Sequence, residues 1–243
     1  MPAFLKRLIF QVGDQASERT YTYTSVSNDG HYISLRPLIR PKDDKEREFP
    51  VEWAFAGLNT DIRVTKIDEY TVTQDFNFWI DINRYLKVPN IHQGEVHTTW
   101  KRWESECLEE TGTVYPFGPD KEGVNFMELW QPLDSNRVED VVAPIGMDNS
   151  KDRSVVLKID DSKYEGLMIV VGKWAQGLMT KKGESSTDGI NMIRSVETST
   201  NSYKTLFSQG SNVDKFPSAF ENLSKGTKVD VNGFEWEVIE STY

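Results

Sequence analysis

The chain has a single cysteine, Cys107, in 243 residues. One thiol excludes an internal disulfide and a cysteine-based zinc site. It fits a reducing compartment, so cytoplasm and nucleus are the expected location. Long hydrophobic runs are missing too. None approaches the roughly 18 residues that a membrane-spanning helix requires, and the sequence does not read as an integral membrane protein. The N-terminal "MPAFLKRLIFQVG" lacks the long apolar core and cleavage site of a secretory signal and reads as a first strand. Basic residues are outnumbered, 28 Lys and Arg against 38 Asp and Glu, for a net charge of −10. The pairs Lys101-Arg102 and Lys181-Lys182 are too short to neutralise a row of phosphates, so nucleic acid is not an expected partner. No Gly-rich phosphate loop or dinucleotide fingerprint is present, and no cofactor is expected. Helical periodicity is scarce. Its clearest case is "FPSAFENLSKG" at 216–226, where Phe216, Phe220 and Leu223 have helical spacing, Ser218 could cap and Gly226 could stop a short helix.

What the chain does have is aromatic residues, 12% with seven Trp, and alternation. From Tyr70 to Ile82 the even positions Val72, Gln74, Phe76, Phe78 and Ile80 oppose Thr71, Thr73, Asp75, Asn77, Trp79 and Asp81 on the odd ones. That period of two marks a strand, or two collinear strands, with one buried face. "RTYTYTSVS", "SVVLKID" and "HTTWKRWE" have strand composition. "TKVDVNGFEWEVIE" places Asn232-Gly233 between alternating arms, a two-residue hairpin turn. It would pair Val231 with Phe234, Val229 with Trp236 and Thr227 with Val238 on one face. Lys228 opposite Glu237 is favourable there, and Asp230 opposite Glu235 is not.

The least patterned stretch, "DSNRVEDVVAPIGMDNSKD", suits a connection between domains. "PKDDKERE" at 41–48 and "TKKGESSTDG" at 180–189 read as solvated loops. On either side of the connection, "VEWAFAG" at 51–57 resembles "VGKWAQG" at 171–177. Later, "GVNFMELWQPL" resembles "DVNGFEWEVIE" in the same order. Ordered matches flanking a linker argue for a duplication. The fold class expected is all-β: two tandem lipocalin-like antiparallel β-barrels with one or two short helices. The first would occupy 1–135, a linker 136–152, and the smaller second barrel 153–243.

The stretches "LKRLIFQVG", "DGHYISLRP", "FPVEWAFAG", "VTQDFNFW", "EETGTVYPFG", "ELWQP" and "WEVIE" run from end to end, and together they resemble the fungal HRI family of yeast casein-kinase-I-interacting proteins. This resemblance implies two lipocalin-like barrels, a cytoplasmic and nuclear protein, and binding to a casein-kinase-I-type protein kinase. It also implies a link to the endoplasmic-reticulum translocation machinery. The family carries no established catalytic motif, so no active-site residue transfers.

Residue chemistry gives little catalysis. His31, His92 and His97 are the proton carriers near neutral pH. His92 and His97 flank Gly94 and Glu95 without a third ligand at diagnostic spacing, and they read as exposed strand or loop residues. A Cys107–His97 nucleophilic pair is conceivable, yet the acidic "SECLEE" disfavours a thiolate. An enzyme with Glu95 or His97 as general base is a remote third reading. Trp53, Phe55, Phe76, Phe78, Trp100 and Trp130 have two readings. They line an apolar ligand cavity with anchors such as Arg36, Gln74 and Arg102, or they fill the first barrel outright. Trp79, on the polar face of its strand, calls for a contact with the other domain or with a partner. Ser185, Ser186 and Thr187 are candidate phosphorylation sites in a flexible acidic loop. The leading functional expectation is a non-enzymatic, kinase-binding interaction protein. The alternative is a carrier of a small apolar ligand inside the first barrel.

Overall fold

Two curled antiparallel sheets dominate the computed structural model, which describes every residue except 90, 92, 93, 116, 117, 119, 120 and 243. The first sheet contains β1 (Ala3–Val12), β2 (Gln15–Ser17), β3 (Tyr23–Val26), β4 (Tyr32–Pro37), β5 (Val51–Gly57), β6 (Ile62–Lys66), β7 (Thr71–Phe76), β8 (Ile80–Asp81), β9 (Val96–Arg102), β10 (Leu108–Val114) and β11 (Val124–Pro132). The second contains β12 (Ser154–Asp160), β13 (Tyr164–Val171), β14 (Trp174–Lys181), β15 (Ile190–Ser199), β16 (Ser202–Gln209), β17 (Lys228–Val231) and β18 (Phe234–Ser241). The α-helices are α1 (Asp44–Glu48), inside the loop expected at 41–48, and α2 (Ile82–Tyr85). None of the described helices is long and apolar enough to cross a membrane.

Strands run β6-β7-β9-β10-β11-β1-β3-β4-β5-β8 in the first sheet and β16-β15-β14-β13-β12-β18-β17 in the second. In both, a late strand returns to pair with the first: β11 with β1, and β18 with β12. The path ends are not hydrogen-bonded to each other among the described residues, so each sheet is a curled half-barrel. The Tyr70–Ile82 alternation becomes two strands, as expected, but they are not collinear. Between them the chain crosses the open side, since β7 pairs with β6 and β9 while β8 pairs with β5.

The hairpin register is the expected one, Val231 opposite Phe234 and Val229 opposite Trp236. Asn232 and Gly233 both have positive φ, 52° and 86°, as this turn requires. The unfavourable Asp230–Glu235 pair is relieved diagonally, because Lys228 Nζ reaches Glu235 at 2.6 Å. The helix expected at 216–226 does not form. Phe216 and Phe220 are buried against Trp236 and Met179 in the interior of the second sheet, and burying both in a short plug overrides local helical spacing.

The largest core lies between the sheets rather than inside either. Strands β3, β4 and β5 lie against β13 and β14. From the first sheet come Phe4, Ile33, Leu35, Ala54 and Ala56; from the second, Leu167, Ile169, Val171, Trp174 and Leu178. Alternate residues of the same strands face the other way: Met168 and Val170 enter the second sheet's interior. Strands buried on both faces lose polar alternation, which is why "YISLRP" is buried throughout. Trp174 stacks on Phe4 at 4.7 Å, and its Nε1 donates to Arg137 O at 2.9 Å. Trp53, by contrast, faces its own sheet's interior beside Phe55. The Trp-Ala match is therefore not structurally equivalent, whereas Trp130 and Trp236, in the returning strands, both point inward.

Polar stitches accompany this apolar contact. Buried Arg194 donates to Tyr21 O at 2.8 Å, Leu35 O at 2.9 Å and Gln176 Oε1 at 2.9 Å. Glu240 accepts from Ser27 Oγ at 2.6 Å and from the backbone N–H groups of Asn28 and Asp29 at 2.9 and 3.0 Å. The connecting stretch is also docked: Asp140 accepts from Lys6, Tyr21 and Tyr23. Because both sheets share one core, Trp174→Ala should cost about 3–5 kcal/mol and destabilise them together. Calorimetry should show one transition shifted down; an unshifted first-sheet transition would contradict the shared core.

Candidate functional site

Among the described residues the first sheet has nothing like the plug of the second, and its interior is a cavity. The volume is about 1720 Å³, above the usual few hundred to 1,000 Å³ of small-molecule sites. All six aromatics singled out in the sequence, Trp53, Phe55, Phe76, Phe78, Trp100 and Trp130, line it. They line it without filling it, leaving this volume between them. One wall is a continuous aromatic cluster: Trp53 and Phe55 are 4.5 Å apart, Phe55 and Phe78 4.4 Å. Across the sheet, Trp100 and Trp130 stack at 6.2 Å. Tyr32 closes one side, its hydroxyl in the space a side chain at Gly57 would occupy, and that buried hydroxyl has no hydrogen-bond partner among the described residues.

Charged groups form one end. Glu128, buried in β11, takes Arg36 Nη1 at 2.8 Å, Arg36 Nη2 at 3.3 Å and Arg7 Nη1 at 2.7 Å. Arg7 also reaches Glu18 Oε2 at 2.7 Å, and a register shift between Arg7 and Ile9 marks a bulge in β1. Arg36 stacks on Trp53, 4.7 Å from the ring centre; burial pushes its guanidinium down against the pull of Glu128. Glu110 of β10 is opposite Glu128 and accepts from Trp130 Nε1 at 3.0 Å. Burial, and then the neighbouring Glu128, push the Glu110 carboxyl up to about 8. It is therefore mostly protonated at neutral pH.

The remaining candidates are scattered. Of the expected anchors, Arg36 and Gln74 line the cavity. Arg102 instead lies over the Tyr70 ring. His97 Nδ1 is 2.6 Å from Asp75 Oδ1, and the ligand atoms of Asp75, Glu95 and His97 lie within 4.8 Å of one another. Arg63 already sits between both carboxyls at 2.7 and 3.2 Å, supplying a cation's charge. His92 lies outside the described residues. His31 is buried against the second sheet, its Nδ1 accepts Asn59 N–H at 3.1 Å, and burial lowers its affinity for a proton. Cys107 sits beyond the start of β10 while His97 lies near the far end of the paired β9. Six residues of strand, roughly 20 Å, separate them, and no nucleophilic pair forms. Trp79 packs on the shared core with Lys158 Nζ 4.8 Å above its ring. Ser185, Ser186 and Thr187 are exposed between β14 and β15.

Glu110, Glu128, Arg7 and Tyr32 escaped the sequence reading. Their signal was present: Phe126, Glu128 and Trp130 occupy alternate positions of one strand, so an inward aromatic row carries an acid at its middle.

The family model described as Protein HRI1 matches residues 3–240. The chain belongs to that family. Protein HRI1 from Saccharomyces cerevisiae strains YJM789 and S288c is 53% identical over 242 residues, 99% of each chain. A crystal structure of the uncharacterised Saccharomyces cerevisiae protein YLR301w superposes with a TM-score of 0.96 at 51% identity over the full length of both chains. Family membership therefore accounts for the fold and leaves the chemistry of the cavity to its residues.

The raised Glu110 proton affinity has a sign. Its usual value is 4.5 and its folded value about 8, so the native state holds the extra proton and stability falls as pH rises through that window. Glu110→Gln removes this cost. Its melting temperature should gain on the parent between pH 5 and pH 8, by about 2–4 °C for each 1 kcal/mol relieved. A gain that is equal at both pH values would mean that Glu110 does not titrate there.

Proposed function

We propose that the chain is a non-catalytic binding protein whose first-sheet cavity holds a small, largely apolar molecule. The observation that carries this reading is the aromatic-lined cavity of about 1720 Å³ with buried polar groups at one end. A sheet that only had to fold would bring a plug inward, as the second sheet does with Phe216 and Phe220. Open apolar volume costs stability, and a ligand offsets that cost. No nucleophile–base–orienter arrangement supports catalysis among the described residues. N-Phenyl-1-naphthylamine, a neutral apolar probe, should fluoresce on binding and be displaced by 1-octanol. Gln74→Trp, which puts an indole into the cavity, should weaken binding by at least about tenfold, the loss of roughly 1.4 kcal/mol of contact. A flat titration with the parent protein would refute the reading.

A second reading keeps the kinase-binding role that the family resemblance implies. What favours it is the exposed apolar group Ile67, Tyr70 and Trp103 near one edge of the first sheet, a kind of surface that marks interaction sites. The exposed 185–187 segment is a fitting substrate loop. It follows the Lys181–Glu184 ion pair and ends where Gly189 packs on Tyr85. Phosphopeptide mapping after treatment with a casein-kinase-I-type kinase should place phosphate on Ser185, Ser186 or Thr187. A loop left unmodified while other sites react would count against it.

A further inference from the structure

The polar groups of the cavity are unequal in what they have left to offer. Its cations are largely engaged: Arg36 holds Glu128 through both Nη groups, with its buried Nε left without a hydrogen-bond partner among the described residues, and Arg84 holds the carbonyls of Phe78 and Trp79 at 2.6 and 3.0 Å. The acids lining it are Glu52, Asp75, Asp81, Glu95, Glu110 and Glu128. Four have a basic partner: Arg7 for Glu52, Arg63 for Asp75 and Glu95, and both buried arginines for Glu128; Asp81 accepts from Trp53 Nε1 and from the backbone N–H groups of Asn83 and Arg84. Glu110 has only the Trp130 N–H on Oε2, and its Oε1 has no hydrogen-bond partner among the described residues. Glu110 as a whole is only 8% exposed. It is cross-strand from Trp100 and bonded to the N–H edge of Trp130, so the stacked indole pair lies beside it. A fatty acid would find both cations engaged, with only Arg36 Nε–H left unpaired, and its carboxylate would lie beside that of Glu128, which disfavours it. A cation would find an uncommitted carboxyl and aromatic faces, the pairing that recognises ammonium groups.

Resting on the cavity reading above, we propose that the site selects apolar organic cations, alkyl or aryl ammonium compounds, whose head sits on Glu110 beside Trp100 and Trp130. The tail lies along Trp53, Phe55 and Phe78. Because Glu110 carries a proton when the cavity is empty, a cation that settles on it displaces that proton. Binding below the Glu110 titration therefore releases up to one proton and strengthens by up to about tenfold per pH unit. The groups facing Glu110 are Glu128 from β11 and, across the sheet, Arg36 and Arg7. The arginines stay charged through this range.

Three probes of matched length separate the possibilities: octyltrimethylammonium, 1-octanol and octanoate, titrated calorimetrically into the full chain at pH 6.5 and 8.5. The ammonium should bind tightest and gain affinity with pH, and its apparent enthalpy should vary with buffer ionisation heat at the lower pH. Glu110→Gln should weaken it by about tenfold or more, abolish the pH dependence, and leave 1-octanol unchanged, which shows that the cavity is intact. Octanol or octanoate binding as tightly as the ammonium would overturn the cation preference while sparing the cavity reading. Ammonium binding that survives Glu110→Gln unchanged would place the cation on the acidic exterior and overturn it as well. Failure of all three probes would remove both.

Discussion

Back-to-back packing of two curled sheets is the constraint on which everything else depends. Leu35 and Ile33 of one sheet meet Ile169, Val171 and Leu178 of the other with essentially no exposure. Each such side chain contributes on the order of 1.5–3 kcal/mol when fully buried. Ala54 and Ala56 keep the contact close, and Trp174 lies flat on Phe4 across it. The polar stitches of Arg194 and Glu240 fix register more than strength, since they satisfy backbone groups that the apolar contact would otherwise strand. A strand that serves this interface with its odd residues must turn its even ones to its own sheet's interior. Thus Tyr32 and Arg36 become cavity residues because Ile33 and Leu35 are interface residues.

The two interiors then diverge. The second sheet draws in Phe216, Phe220 and Trp236, whose indole donates to Lys215 O at 2.9 Å. The first draws in nothing comparable among the described residues. Its floor is an ion cluster in which Glu128 bridges two arginines, with Glu110 left beside it. Buried charge of this kind seldom stabilises a fold. A carboxyl kept protonated at the end of an aromatic cavity is instead a group poised to change state when something charged arrives. Shared core and open cavity are thereby linked. The interface fixes the rigid wall of β4 and β5, and that wall holds Trp53, Phe55 and Arg36 against the ligand space.

Much of this was legible beforehand. The Asn232-Gly233 turn and its register follow from turn chemistry that tertiary packing cannot easily overrule. Phe76, Phe78 and Trp100 were legible by alternation, because β7 and β9 face solvent on one side and so keep a readable period of two. Where both faces are buried the signal vanishes, and "YISLRP" and "LMIVV" carry no mark of which residue faces which way. That is why the shared core was invisible. The Phe216–Leu223 spacing misled because a plug, like a helix, can place apolar residues four apart. Glu110 was hidden for a related reason. In "SECLEE" it looks like one more solvated acid, and only its pairing opposite Glu128 turns it inward.

Native-state hydrogen exchange tests the shared core most directly. The amides of Ile33 and Leu35 in the first sheet, and of Ile169 and Val171 in the second, should exchange only through global unfolding, with one common free energy and one common denaturant dependence. If the second-sheet amides remained protected while those of the first exchanged through a smaller opening, the sheets would be independent modules, and the rigid wall behind the cavity would have no basis.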